Sequence, residues 1–187
     1  VGVNLDLGAD FAVRYRDAAP TKNYGDSTFS PHFPDAARIW AAMWEKKSGE
    51  HIDGALALDP TALSYLLAVT GPATLSSGQR IGAGNIVALT QKDQYRLFPD
   101  DATRKRYLIG LADGVSRQLL SGHGDTKRLV RAAARAAGER RLLVWSADAA
   151  VEANLVRSGY AGVVQAGGAP FAGFVVNNAS GSKLDYY

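Results

Sequence analysis

Ile52-Asp53-Gly54-Ala55-Leu56-Ala57-Leu58-Asp59-Pro60 is the stretch on which the reading of the fold turns. Residues 52–58 form a short apolar run of strand length, without the strict polar alternation of a half-exposed strand, and predict a strand buried on both faces. Asp59-Pro60 then has the chemistry of a helix start: a carboxylate that can accept from free backbone N–H groups, followed by a ring whose fixed φ suits the first turn. Leu63, Leu66 and Leu67 recur at helical spacing behind it, and Gly71-Pro72 stops the helix. A strand, a cap, a helix and a stop within about twenty residues is the order expected of an α/β layer.

The same grammar extends in both directions. Upstream, Pro, Gly, Asn and Asp crowd residues 18–34, which read as a long loop after a short strand around Phe11–Tyr15. A helix opens at Pro34 with Asp35 in its first turn. Ala36, Ile39, Trp40, Met43 and Trp44 form its apolar face and Gly49 its end. Downstream, Leu75–Ile81 reads as a hairpin or loop, about Gly84 to Tyr95 as a helix, and Asp100–Ser121 as the longest helix. Tyr107, Leu108, Leu111, Val115 and Leu119 make that helix's buried stripe. Thr126 is the expected cap of an alanine- and arginine-rich helix ending at Gly138. Arg141–Trp145 is a second buried strand, Ser146-Ala147-Asp148 begins a helix that closes at Gly159, and Phe171–Val176 is a third strand. The expected class is α/β of the α+β kind, helices packed on a mixed β-sheet, with residues 1–187 as a single domain.

Composition narrows the functional classes. Of 187 residues, 47% are hydrophobic and 21% charged, which suits a packed globule. Zero cysteines exclude a disulfide framework, a thiolate nucleophile and cysteine-ligated zinc or iron–sulfur sites. No run approaches the ~18 apolar residues that span a bilayer. Both ends read as cuts, since Val1-Gly2-Val3-Asn4 has no leader character and Asp185-Tyr186-Tyr187 ends abruptly. The chain is therefore expected to be a fragment of a longer protein, incomplete at the N-terminus, with any membrane anchor outside it.

Few residues arrange themselves as chemistry. His32, His51 and His123 are scattered, with no second ligand one helical turn away. Gly82-Ala83-Gly84 lacks the third glycine of a dinucleotide fingerprint. Ser180-Gly181-Ser182-Lys183 matches a bare Ser-x-x-Lys pattern, but it follows strand-like residues and contains a glycine, so a turn is the simpler reading. Arg128, Arg131 and Arg135 share one helix face, opposite Leu129, Val130 and Ala133, and suit either a solvated surface or an anion-binding one. No motif or aromatic stacking pattern points to nucleic acid. The densest polar cluster is Tyr95–Tyr107, with Arg96, Asp100, Asp101, Arg104, Lys105 and Arg106. Guanidinium forks fit phosphate oxygens, and a carboxylate beside them can bind magnesium or take a proton. Capping of the helix by Asp100 or Asp101 explains the same residues without any ligand.

Several blocks carry a resemblance. Ser30-Pro31-His32-Phe33-Pro34-Asp35-Ala36-Ala37-Arg38, Ile52–Pro60, Thr70-Gly71-Pro72, Leu142–Ser146 and Asn178–Tyr187 resemble, in order, the family called domain of unknown function 4012. That family occurs mostly in membrane-anchored actinobacterial envelope proteins, and the likeness runs from about Ser30 to the end, without the family's upstream block. More faintly, the chain is similar to the LytR-CpsA-Psr enzymes, which move glycopolymers from a polyprenyl pyrophosphate carrier onto peptidoglycan. That likeness implies their fold and an extracytoplasmic, membrane-anchored location. It also implies that Arg96 and Arg104 hold phosphates, that Asp101 binds magnesium or acts as base, and that Arg16, in Arg16-Asp17, helps neutralise charge. The chain departs from that pattern in keeping Arg96 alone of its paired arginines and in placing Tyr107 where glutamine follows the final arginine. A second reading therefore stays open: a non-catalytic domain of the same fold, whose basic helices hold wall polymer or a partner protein.

Overall fold

The computed structural model describes residues 2–15 and 17–164. Arg16, the expected strand Phe171–Val176 and the Ser180–Lys183 tetrapeptide lie outside the described residues. In chain order the elements are α1 (Ala9–Tyr15), α2 (Phe33–Ser48), β1 (Gly54–Leu58), α3 (Pro60–Thr70), β2 (Ala73–Thr74) and β3 (Arg80–Ile81). There follow α4 (Ile86–Ala88), a π-helical turn (Leu89–Asp93), α5 (Gln94–Leu97), α6 (Asp101–Leu120), α7 (Thr126–Gly138), β4 (Leu142–Ser146) and α8 (Ala149–Ser158). The class is mixed α and β. In place of one mixed sheet, the described residues form two separate two-stranded sheets, β1 with β4 and β2 with β3. The chain packs as two compact units, residues 2–57 with 143–164, and Leu58–Leu142.

In the first unit, Phe11–Tyr15 is helical, where the sequence suggested a strand. A run of five residues satisfies either period, and local hydrogen bonding decides between them. The Asp6 carboxylate accepts the Gly8 N–H at 2.8 Å, and Ala12 N–H donates to Gly8 O at 3.1 Å, so the chain turns into a helix. One turn apart, the Phe11 and Tyr15 rings then meet with centroids 5.0 Å apart. Phe11 packs with Leu5 and Leu7 onto the buried Val3, Ile39 and Met43. Helix α2 starts and stops where its proline and glycine require, with Gly49 at φ 76° as its left-handed cap.

Ala147 N–H donates to Asp53 O and Asp59 N–H to Arg141 O, so β1 and β4 run antiparallel. Ala55 and Ala57 face the buried Phe33, Ala36 and Ala37 of α2, together with Leu143 and Trp145. Leu56, on the other face, is 61% exposed. Among the described residues, the strand expected to be buried on both faces is thus covered on one, where α2 packs against its pleat.

The second unit is built on α3. Asp59 Oδ1 accepts the Ala62 N–H at 2.7 Å, capping the helix as its sequence implied. Leu67 lies in a core with Ala73, Leu75, Ile81, Ile86, Leu89, Leu111 and Val115. Leu75–Ile81, for which the sequence allows a hairpin or a loop, is the turn and second strand of a hairpin that begins earlier, with Ala73 opposite Ile81 and Thr74 opposite Arg80. It approaches α6 so closely that a Cβ on Gly114 would stand 2.7 Å from Leu75 Cδ2, so the Leu75 side chain would have to shift to admit any larger residue there. Helix α7 is capped by the Asp125 carboxylate, which accepts the Arg128 N–H at 2.7 Å, and not by Thr126. Asp125 stands one residue ahead of the first helical residue, where a short carboxylate reaches the third N–H, and the threonine is left inside the first turn.

A polar network fastens α3 and α7. Asp59 Oδ2 accepts from Arg141 Nη1 at 2.5 Å, and Arg141 Nε donates to Glu139 Oε2 at 2.9 Å. Glu139 also accepts from Arg135 Nε and from the Tyr65 hydroxyl, each at 2.9 Å, while the Arg135 guanidinium lies 3.9 Å above the Tyr65 ring. Arginine holds the Glu139 carboxyl below the usual carboxylate range, and Arg141 is in turn raised by Asp59. Replacing Asp59 by alanine removes a cap and a charge partner together and is expected to lower stability by about 1–2 kcal/mol in urea unfolding. Asp59→Asn keeps a capping oxygen and is expected to cost less than half of that.

Candidate functional site

Of the four residues singled out in the sequence, three lie in the described part of the second unit. Arg104 and Asp101 come together in the first turn of α6 as an ion pair. The Arg104 side chain is only 11% exposed. Its Nη1 donates to the carbonyls of Phe98 at 2.9 Å and Pro99 at 3.3 Å, and its guanidinium stacks 5.0 Å from the centroid of the Tyr95 ring. These contacts anchor the turn that enters α6. Asp101 also holds Lys105 Nζ at 3.0 Å. Arg96 sits apart from that pair, with its side chain 81% exposed and 3.8 Å from the Asp93 carboxylate. Asp100 is the cap, accepting the Thr103 N–H at 2.8 Å, as the ligand-free reading of the cluster required.

The lysine and arginine partners shape the acid–base character of Asp101. The hydrogen bond from Lys105, then that from Arg104, hold its carboxyl below the ordinary carboxylate range. The ionised form is favoured, which suits cation contact better than proton uptake near neutrality. A carboxyl depressed in the folded state adds stability that is present above the unfolded value of about 4 and is lost as pH falls through the folded value. Asp101→Asn is therefore expected to flatten the acid limb of the stability–pH curve, and the Asp101 carbon resonance to titrate below pH 4 in NMR. Arg104→Ala, which frees two backbone carbonyls, is expected to cost about 1–3 kcal/mol, while Arg96→Ala leaves unfolding unchanged within 0.5 kcal/mol.

Helix α7 carries a second cationic feature. Lys127, Arg128 and Arg131 are exposed on it, whereas Arg135 is occupied by Glu139. Val130, placed by helical spacing on the face opposite the arginines, is exposed as well, and burial on α7 is confined to Ala136 and Ala137.

Two of the clefts in the first unit were not revealed by the sequence. One, open and about 460 Å³, is lined by Tyr24, Trp40, Met43, Trp44, Lys47 and Ile52 among others. Trp40 and Trp44 stand at i and i+4 with Lys47 three residues further on, a pattern indistinguishable in sequence from a core face with a flanking charge. The other, about 330 Å³, includes Asp10, Arg14, His32 and Asp35. Ser30 Oγ donates to Asp35 there at 2.7 Å, and His32 Nδ1 accepts the Val164 N–H at 3.1 Å. His51 stands 3.7 Å from Glu45, and His123 Nδ1 lies 2.6 Å from Ser121 Oγ. Among the described residues no three of His, Asp and Glu gather as a metal site, and no helix is long and apolar enough to cross a membrane.

Comparison with known proteins places part of this arrangement in a family. A search of curated proteins and a search of solved structures each found no match. A family model described as protein of unknown function (DUF4012) matches residues 2–95. The match begins well before Ser30, where the resemblance read from the sequence began. It ends ahead of the blocks at Leu142–Ser146 and Asn178–Tyr187, and one residue short of Arg96. It takes in α1, α2, β1, α3 and the β2–β3 hairpin, and thus nearly all of the lining of both clefts, but neither Asp101 nor Arg104. With half of its length matched, the chain belongs to the DUF4012 family of proteins of unknown function.

Proposed function

We propose that this chain is a non-catalytic, extracytoplasmic envelope domain that binds an anionic glycopolymer, attached to the membrane through a segment outside it. The observation that carries the reading is the basic face of α7. Lys127, Arg128 and Arg131 are exposed on one helix, and among the described residues no carboxylate lies within 4.0 Å of the charged group of any of them. Phosphate-rich polymer is the complement of such a face, and its binding draws on long-range attraction that salt weakens. The envelope location rests on the resemblance described above.

The first turn of α6 favours binding over transfer. A catalytic reading asks Arg104 to grip a pyrophosphate and Asp101 to hold magnesium or take a proton. Arg104 donates instead to Phe98 O, Pro99 O and Asp101, and is nearly covered. A polyprenyl pyrophosphate would have to displace those contacts.

Binding of poly(glycerol phosphate), followed by isothermal titration calorimetry at rising sodium chloride, tests the proposal. Affinity is expected to fall steadily with salt and to drop roughly tenfold in the Lys127→Gln/Arg128→Gln/Arg131→Gln variant. It is expected to be unchanged in Asp101→Ala and without magnesium. Binding of a polyprenyl pyrophosphate analogue that requires both Asp101 and magnesium, with α7 dispensable, would overturn it in favour of transfer.

A further inference from the structure

The aromatic cleft of the first unit is a preorganised platform. Trp40 Nε1 donates at 2.7 Å to the hydroxyl of Ser27, which is buried and itself donates at 2.7 Å to Tyr24 O. The ring is also braced edge-on by Phe33 at 5.7 Å, and Tyr24 lies 6.2 Å away. Trp44 Nε1 donates to Glu50 Oε2 at 3.2 Å. Glu50 N–H is received by Ser48 Oγ, which donates to Trp44 O. Both indoles thus have their polar edges occupied by protein, which fixes the rings and leaves π surface to face the cleft. Trp44 is 49% exposed and Tyr24 66% exposed. Large aromatic surface left open in this way has an energetic reason to be covered by a ligand.

The charge at the cleft selects among ligands. An aromatic cage of Tyr24, Trp40 and Trp44 by itself would suit a quaternary ammonium. Lys47 lines the same cleft, places a positive charge beside the rings, and opposes any cation. A ligand that satisfies both features has a flat apolar face for the indoles and an anionic group for the ammonium. A pyranose ring bearing a phosphate or a carboxylate has that pair of properties, with C–H bonds on the ring face and the acid on an edge.

We infer that the Tyr24–Trp40–Trp44–Lys47 cleft is a binding site for an anionic sugar unit, with the two indoles as stacking surface and Lys47 as the anion contact. This site is independent of the basic face of α7 and of the polymer reading drawn from it.

The experiment uses the whole chain and follows its three indole N–H signals by NMR during titration with glucose 6-phosphate, glucuronate, glucose or inorganic phosphate. The first two separate phosphate from carboxylate as the acid, and the last two are the half-ligands. Saturable shifts of the Trp40 and Trp44 signals with an acidic sugar are expected. Binding should weaken about tenfold in Trp44→Ala and in Tyr24→Ala, and by a similar factor in Lys47→Gln or for unmodified glucose. Tyr24 is largely exposed, so its variant should unfold at the wild-type midpoint. Trp44 is half exposed, so its variant should unfold earlier yet stay folded at the titration temperature, and the Lys127→Gln/Arg128→Gln/Arg131→Gln variant should bind as wild type. No saturable shift with either acidic sugar, or equal binding by Lys47→Gln and by the wild type, would overturn the assignment. Loss of sugar binding in the α7 variant would also overturn it, since the site would then not be this cleft.

Discussion

The Asp59 carboxylate is the contact on which the second unit depends most. One oxygen closes the start of α3 by accepting the Ala62 N–H, and the other receives Arg141, the residue before the last of the Leu58–Leu142 excursion. A surface ion pair alone contributes little, because two flexible side chains are ordered in water for a screened attraction. Here one partner is already immobilised as a helix cap, so ordering it costs nothing further. Arg141 is likewise shared with Glu139, which ties it to Tyr65 of α3 and to Arg135 of α7. Each bond fixes a group that the next one uses, and α3 and α7 are thereby held in one register around the core.

The same economy explains why the α6 turn is a poor anion site. A guanidinium has five N–H donors, and its value to a phosphate lies in keeping two of them free in a fork. In Arg104 the fork is turned inward, onto Phe98 O, Pro99 O and Asp101. Arginine-rich segments look alike in sequence whether they bind ligands or fold loops. The difference is which atoms the donors reach. On α7 the opposite holds: only Ala136 and Ala137 are buried, and among the described residues Glu139, at the helix end, is the carboxylate within ion-pair reach of its long basic side chains.

The aromatic cleft of the first unit depends on contacts that span more than one helical turn, six to thirteen residues along the chain. Trp40 is oriented by Ser27 and Phe33, and Trp44 by Glu50. None of these partners follows a motif, yet together they set whether a tryptophan is core filling or a surface for a ligand. The family match falls over this region and stops short of the charged α6 turn, so the part of the chain shared with the family is where the open aromatic surface lies.

By itself the sequence determined the elements whose signals are local. Asp59-Pro60, Asp100, Asp148 and Gly49 mark helix boundaries through hydrogen bonds and dihedrals that reach no further than four residues, and the helices lie where those residues require. The turn over Leu75–Ile81 was legible as a hairpin or loop, but not the pairing of Ala73 with Ile81 that makes it a hairpin. Short ambiguous runs were not: Phe11–Tyr15 fits both periods until Asp6, Gly8 and the cluster around Ile39 choose the helix. Residue composition also disclosed the cationic clusters but not their use. Only the tertiary structure decided that Leu56 faces outward, that Arg104 is engaged with backbone, and that Tyr24, Trp40 and Trp44 share a cleft with Lys47. Each of those outcomes is set by which groups come to lie against a residue in space. Neither hydrophobic spacing nor composition specifies that, whether the partner is six residues away, as Phe98 is from Arg104, or on another element.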